Sequence, residues 1–155
     1  MARVVIVTSK ANGFLGLIYT VRIDLTYSDF SDPNDTKTIT LYDLPFCAQY
    51  IDCWADIKQG FIGGNIETYT ISAGRGENFE DKILAANNVK VKGLLTSAEH
   101  KGLDLTTPGQ TNMYSTEEAT TLTVTATCTG DTLGSATEGK ISIYLLISQA
   151  PSSDE

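Results

Sequence analysis

The chain has 155 residues, the length of one domain, and sets 11 Lys and Arg against 19 Asp and Glu for a formal charge of −8. That acidity argues against a nucleic-acid surface or an anionic membrane patch. With 41% hydrophobic and 19% charged residues, the composition lies outside the disordered class. A chain this long buries roughly two thirds of its unfolded surface, so no disulfide or metal is required to hold a core.

In chain order, the first candidate element is Arg3-Val4-Val5-Ile6-Val7-Thr8. It is strand-like but set apart by Lys10-Ala11-Asn12-Gly13, and it is either a first strand or an arm laid on a neighbour. This run falls far short of the ~18 apolar residues of a membrane helix. No charged-then-apolar leader with a cleavage site opens the sequence, so the expectation is a chain not marked for secretion. Tyr19 to Tyr27 alternates apolar odd positions with polar even ones, and Lys37 to Tyr42 repeats the pattern with Ile39 and Leu41 facing inward. Period two is the signature of a half-buried strand. Tyr50 to Lys58 alternates Ile51, Cys53, Ala55 and Ile57 against Tyr50, Asp52, Trp54 and Asp56. Glu67 to Ala73 follows, and Gly60 with Gly63-Gly64 predicts a hairpin between the two.

Phe79 to Ala86, acidic at its start, is the one plausible helical turn, marginal at that length without packing. Val89 to Leu95 is a shorter strand. Residues 97–118 are polar and show little periodicity. Thr121 to Cys128 then alternates without a break, its threonines lining one face. The final strand, Lys140 to Ile147, turns apolar on both faces towards its end, which predicts a central strand or one covered by a partner. Seven to eight strands separated by turn signals predict an antiparallel sandwich or barrel. The organisation expected is an arm or strand over residues 1–15, one β-sandwich domain over 16–148 and a polar tail over 149–155.

Chemistry-bearing clusters are sparse. Cys47, Cys53 and Cys128 are odd in number and fit neither a disulfide framework nor a zinc ribbon; small core residues are expected. A single histidine, His100, lies in a polar stretch, poorly placed to serve as a base or ligand. Ala73 to Phe79 follows a strand but lacks the third glycine of a dinucleotide loop, and its acids would repel phosphate. Asp29, Asp32, Asn34 and Asp35 could crowd oxygens round calcium, yet the loop glycine and distal glutamate are missing, and Asp and Asn are favoured turn residues. Neither catalytic residues, a cofactor nor a metal is expected. Tyr50 and Trp54 share a face under strict alternation, and with Tyr144 they are candidate interface aromatics.

Three stretches resemble small jelly-roll proteins of tailed-bacteriophage virions, of the capsid cement or decoration type. They are Thr38 to Pro45, Gly63-Gly64 leading into Tyr69 to Gly74, and Leu122 to Cys128 followed by Gly139 to Ser148. The resemblance implies an all-β, antiparallel jelly-roll-like sandwich with extended N-terminal arm and C-terminal tail. It implies a homotrimer, assembled in the host cytoplasm, that binds the major capsid protein on the capsid surface without nucleic acid or membrane. The candidate contact residues are then Arg3, Val4, Val5, Ile6, Val7, Tyr50, Trp54 and Tyr144. Head fibres and tail adhesins that bind a host receptor or glycan are the related uses of the fold. A cellular enzyme of the cupin type would need more ligating histidines than His100 alone.

Overall fold

The computed structural model describes residues 2–8, 17–44, 48–75, 84–95 and 120–149. Nine strands run through them: β1 (Arg3–Thr8), β2 (Leu17–Thr26), β3 (Thr36–Leu44), β4 (Ala48–Ile62), β5 (Thr68–Arg75), β6 (Leu84–Asn88), β7 (Gly93–Leu95), β8 (Thr120–Thr129) and β9 (Glu138–Gln149). Sheet 1 has the order β1-β2-β9-β4-β7 and sheet 2 the order β3-β8-β5-β6. Every pairing is antiparallel. The pairs β5–β6, β4–β7, β3–β8 and β2–β9 are nested one inside the next, as if one long hairpin had been rolled up. That is the jelly roll, eight strands in two packed sheets, and β1 is an extra strand outside it.

Alternation explains the core. Val21, Ile23 and Leu25 of β2, Ile141, Ile143 and Leu145 of β9, and Cys53, Ala55 and Ile57 of β4 turn inward from sheet 1. Tyr69, Ile71 and Ala73 of β5 and Leu122, Val124, Ala126 and Cys128 of β8 meet them from sheet 2. Each fully buried aliphatic side chain contributes about 1.5–3 kcal/mol through removal from water. The two cysteines in this set are buried, as expected of small core residues; Cys47 lies outside the described residues. β9 is central, flanked by β2 and β4, one of the two alternatives expected of it.

Several local expectations are corrected. Gly60 to Gly64 does not close a hairpin, because β4 and β5 belong to different sheets. The glycines instead make a corner. Gly63 has φ +152, and a Cβ there would sit 2.3 Å from the Ser135 carbonyl oxygen. The expected helical turn fails over Leu84–Asn88, which is β6 and pairs with β5; residues 79–83 lie outside the described set. Leu84 is buried, and a strand that fills the sheet outweighs a short helix with little local preference. Of Val89 to Leu95, only Gly93–Leu95 is strand. Val89 instead bridges the sheets, its N–H donating to Tyr69 O at 2.9 Å and its carbonyl accepting from Phe61 N at 3.0 Å. Arg3–Thr8 pairs with the chain's own β2, from Arg3 opposite Asp24 to Thr8 opposite Tyr19. The stretch 97–118 and the tail beyond Gln149 lie outside the described residues.

One end of the sandwich is locked. Asp131, in the β8–β9 connection, accepts from Asn65 N (2.9 Å) in the β4–β5 corner, and from Thr132 N (2.8 Å) and Ser135 Oγ (2.7 Å) in its own loop. These bonds hold its carboxyl below the ordinary aspartate range. Beneath lies an aromatic cluster, with Phe61 and Tyr69 centroids 4.9 Å apart and Phe30 and Phe61 6.4 Å apart. Gly139 is required beside it, since a Cβ there would lie 2.4 Å from the Phe61 ring.

Candidate functional site

With the interior filled, the residues available for work are those that alternation turns outward. On sheet 1 the register aligns Val5, Arg22, Tyr144 and Trp54 across four strands. Trp54 and Tyr144 stack with centroids 5.5 Å apart and planes 5° from parallel, and both are half-buried. Such a cross-strand aromatic pair is rigid and presents apolar area at little entropic cost. The adjacent row aligns Arg3, Asp24, Ser142 and Asp56. Asp24 serves both rows: one oxygen accepts from Ser142 Oγ at 2.6 Å, the other lies 3.3 Å from Arg22 Nε. Arg22 Nε is buried and forms no hydrogen bond, so Asp24 holds it as an ion pair only.

Trp54 and Tyr144 are thus brought together, and Val5 joins their row half-buried. Arg3 is exposed and one row away. Val4, Ile6 and Val7 lie in β1 opposite Ile23, Val21 and Thr20. Tyr50 is not in the row. The β4 register shifts between Tyr50 and Asp52, so Tyr50 falls opposite Ile147 while Trp54 falls opposite Tyr144. A bulge inserts one residue and reverses the parity of everything beyond it, and strict alternation could not foresee it. Arg22 and Asp24 were missed because a charged residue on a strand's wet face carries no signal until its cross-strand neighbours are known.

Sheet 2 presents a different outer face. Thr36, Thr38 and Thr40 of β3 lie opposite Thr127, Thr125 and Thr123 of β8, which lie opposite Thr70, Ser72 and Gly74 of β5. Thr38 and Thr125 hydroxyls are 2.8 Å apart, Thr68 and Thr129 hydroxyls 2.6 Å, and Thr36 Oγ1 donates to Thr127 Oγ1 at 3.4 Å. Thr123 and Ser72 are nevertheless buried, and Thr123 Oγ1 has no partner. The row continues to Asp43, opposite Thr121, beyond the register shift in β3.

The remaining chemical candidates are absorbed by structure. Asp29 Oδ2 accepts from Thr26 N at 2.7 Å and Oγ1 at 3.2 Å, capping the turn Tyr27–Asp29. Asp32 Oδ1 accepts from Asn34 N at 2.9 Å and Nδ2 at 2.8 Å. Among the described residues no three His, Cys, Asp or Glu side chains gather as a metal site, and no helix is long and apolar enough to cross a membrane. Burial pushes the Cys128 thiol up, with Asp35 and Asp131 adding to it, and Cys128 Sγ donates to Asp131 O at 3.1 Å. A thiol so held is a poor nucleophile. His100 lies outside the described residues.

No protein-family model matches the sequence, and no curated protein matches it. Solved structures do match in fold. A chain from the capsid of Ralstonia phage GP4 is similar with a TM-score of 0.59 and 19% identity, over 93% of this chain and 92% of that one. A chain from the cyanophage Pam1 capsid asymmetric unit is similar with a TM-score of 0.52 and 11% identity, over 92% of each. At these identities the likeness is one of fold: the chain is a jelly roll of the kind found in those two capsids.

Proposed function

We propose that the chain is a structural virion protein of a tailed phage: a cement protein that binds the outer surface of the head, as a homotrimer, and stabilises contacts between major capsid subunits. The observation that carries this reading is the likeness to a capsid chain over more than nine tenths of both chains, which leaves little of either fold unaccounted for. The outer faces suit the role. A binder of many identical sites gains from several modest contacts, because tethered binding steps reinforce one another. The Trp54–Tyr144 row is the contact surface under this reading, being a rigid aromatic pair on a face that also carries Leu146 and the exposed Leu94.

The test is co-sedimentation of the purified chain with expanded, empty heads of its parent phage, alongside thermal stability of the heads. Saturable binding with a raised melting temperature of the shell is expected. Heads that neither bind the chain nor gain stability would end the cement reading. The same aromatic pair favours one alternative, a head-fibre or tail adhesin that holds a host glycan; that reading predicts binding in a glycan screen and none to heads.

A further inference from the structure

We propose that β1 is an exchangeable strand: in the assembled trimer it leaves its own chain and lies on β2 of the next copy, in the register that Arg3–Thr8 makes with Asp24–Tyr19. The inference rests on the homotrimer reading above and adds what holds the trimer together.

Four observations support it. The first is topological: β1 stands outside the nested pairs of the eight-stranded roll, and β2 is the one element against which it packs extensively. Moving it therefore breaks one ladder and leaves the roll closed. Second, its two described side chains are on the outer face, Arg3 exposed and Val5 half-buried, while Val4 and Ile6 take the positions opposite Ile23 and Val21. The third is that its fit to β2 is already established by the pairing in one chain. Exchange reuses those contacts unchanged, which is why swapped elements are a low-cost route to oligomers. Fourth, β1 carries Arg3 and no acid, while the other residues set 10 cations against 19 acids, so the acidic body of a second copy attracts the strand as its own does.

Residues 9–16 connect β1 to β2, and eight linking residues span about 30 Å when extended. They include Gly13 and Gly16. The strand itself, Val4-Val5-Ile6-Val7, is β-branched throughout and carries no proline or lysine, so it suits a sheet edge and is hazardous if left unpaired. A one-way exchange is a head-to-tail contact, and such contacts terminate only by closing a ring. Three copies close it here.

The test uses register partners as reporters. Val5→Cys with Arg22→Cys places a cysteine pair across the β1–β2 ladder, and Val7→Cys with Thr20→Cys repeats it at a second site should the first variant fold poorly. Each variant is oxidised to completion and run denatured without reductant, beside the oxidised parent chain as control. One-way exchange round a ring links all three chains, giving a species of three times 16.7 kDa. Single chains, locked internally, would overturn the proposal, and so would a product that stops at two chains. Head binding is read separately. It is read on the parent chain, because Val5 and Arg22 lie in the row assigned to head contact. A parent chain that fails to bind heads while the variants link as trimers would sink the cement reading alone. Unlinked variants beside a parent that binds heads would sink the exchange alone.

Discussion

The outer faces of the two sheets are built by the same alternation and end with opposite chemistry. Sheet 1 turns out an aromatic stack, an arginine and a carboxylate bound to a serine. Sheet 2 turns out threonines that hydrogen-bond one another across strands. Behind both lie the same kinds of side chain, Ile, Leu, Val and Ala. Burial therefore constrains the inner faces alike and leaves the outer faces free to differ, one supplying an aromatic pair and the other a surface made mostly of threonine hydroxyls. If that division is right, substitutions should separate by face: inner ones act on stability, sheet 1 outer ones on binding, and sheet 2 outer ones on little.

The largest effect is expected inside. Ile143, fully buried at the centre of sheet 1, supports both faces, and Ile143→Ala should cost about 2–5 kcal/mol by lost transfer energy and the cavity left behind. Denaturant unfolding measures it, and a cost under 1 kcal/mol would mean that the sheets do not depend on this packing. On the sheet 1 face, Trp54→Ala should weaken head binding at least roughly tenfold, as loss of a buried aromatic anchor does. Its cost in stability should be much smaller, with a coupling to Tyr144→Ala of about 0.5–1.5 kcal/mol in a double-mutant cycle. Equal binding by Trp54→Ala and the parent in a titration of heads would remove this face from the contact.

At the corner where the sheets join, the effect depends on pH. The folded carboxyl of Asp131 is held below its ordinary value, so its contribution is present above the unfolded value, about 4, and is lost as pH falls through the folded one. Asp131→Asn should lower the melting temperature at pH 7, and the gap from the parent should narrow below about pH 4. A gap independent of pH would assign the loss to geometry rather than charge. Tyr69 tests the interior with the opposite sign. Its hydroxyl is buried without a partner, and burial pushes its pKa far up. Tyr69→Phe should therefore be neutral or stabilising by about 1 kcal/mol, since an unsatisfied buried donor is costly. The smallest change is expected on sheet 2, where Thr38→Val removes one hydroxyl pair with Thr125. It should cost about 0.5 kcal/mol and leave head binding unaltered; a binding defect there would reverse the assignment of the two faces.

The strands that strict alternation marked, Tyr19 to Tyr27, Thr121 to Cys128 and Lys140 to Ile147, all form, because one side of each must be dry. Trp54 and Tyr144 could each be named as a candidate interface aromatic for the same reason, but the partner that alternation gave Trp54 was Tyr50. The sequence failed wherever a decision needed a second strand. A bulge near Ile51 puts Tyr50 out of step with Trp54 along β4, and nothing in the local pattern of β4 marks it. The Gly63-Gly64 corner resembled a hairpin because φ > 0 serves both, and only the partner sheets tell them apart. Leu84 to Asn88 could not be read as strand until β5 offered it an edge.

What the sequence determined by itself is the inside of this protein: period-two patterning states which side chains leave water, and burial is a local tally along each strand. What only the tertiary structure decided is the outside: which strands are neighbours, and hence that Arg22, Tyr144 and Trp54 form one row. Cross-strand contacts join residues far apart in the chain, and register, set by bulges and corners, is a property of pairs.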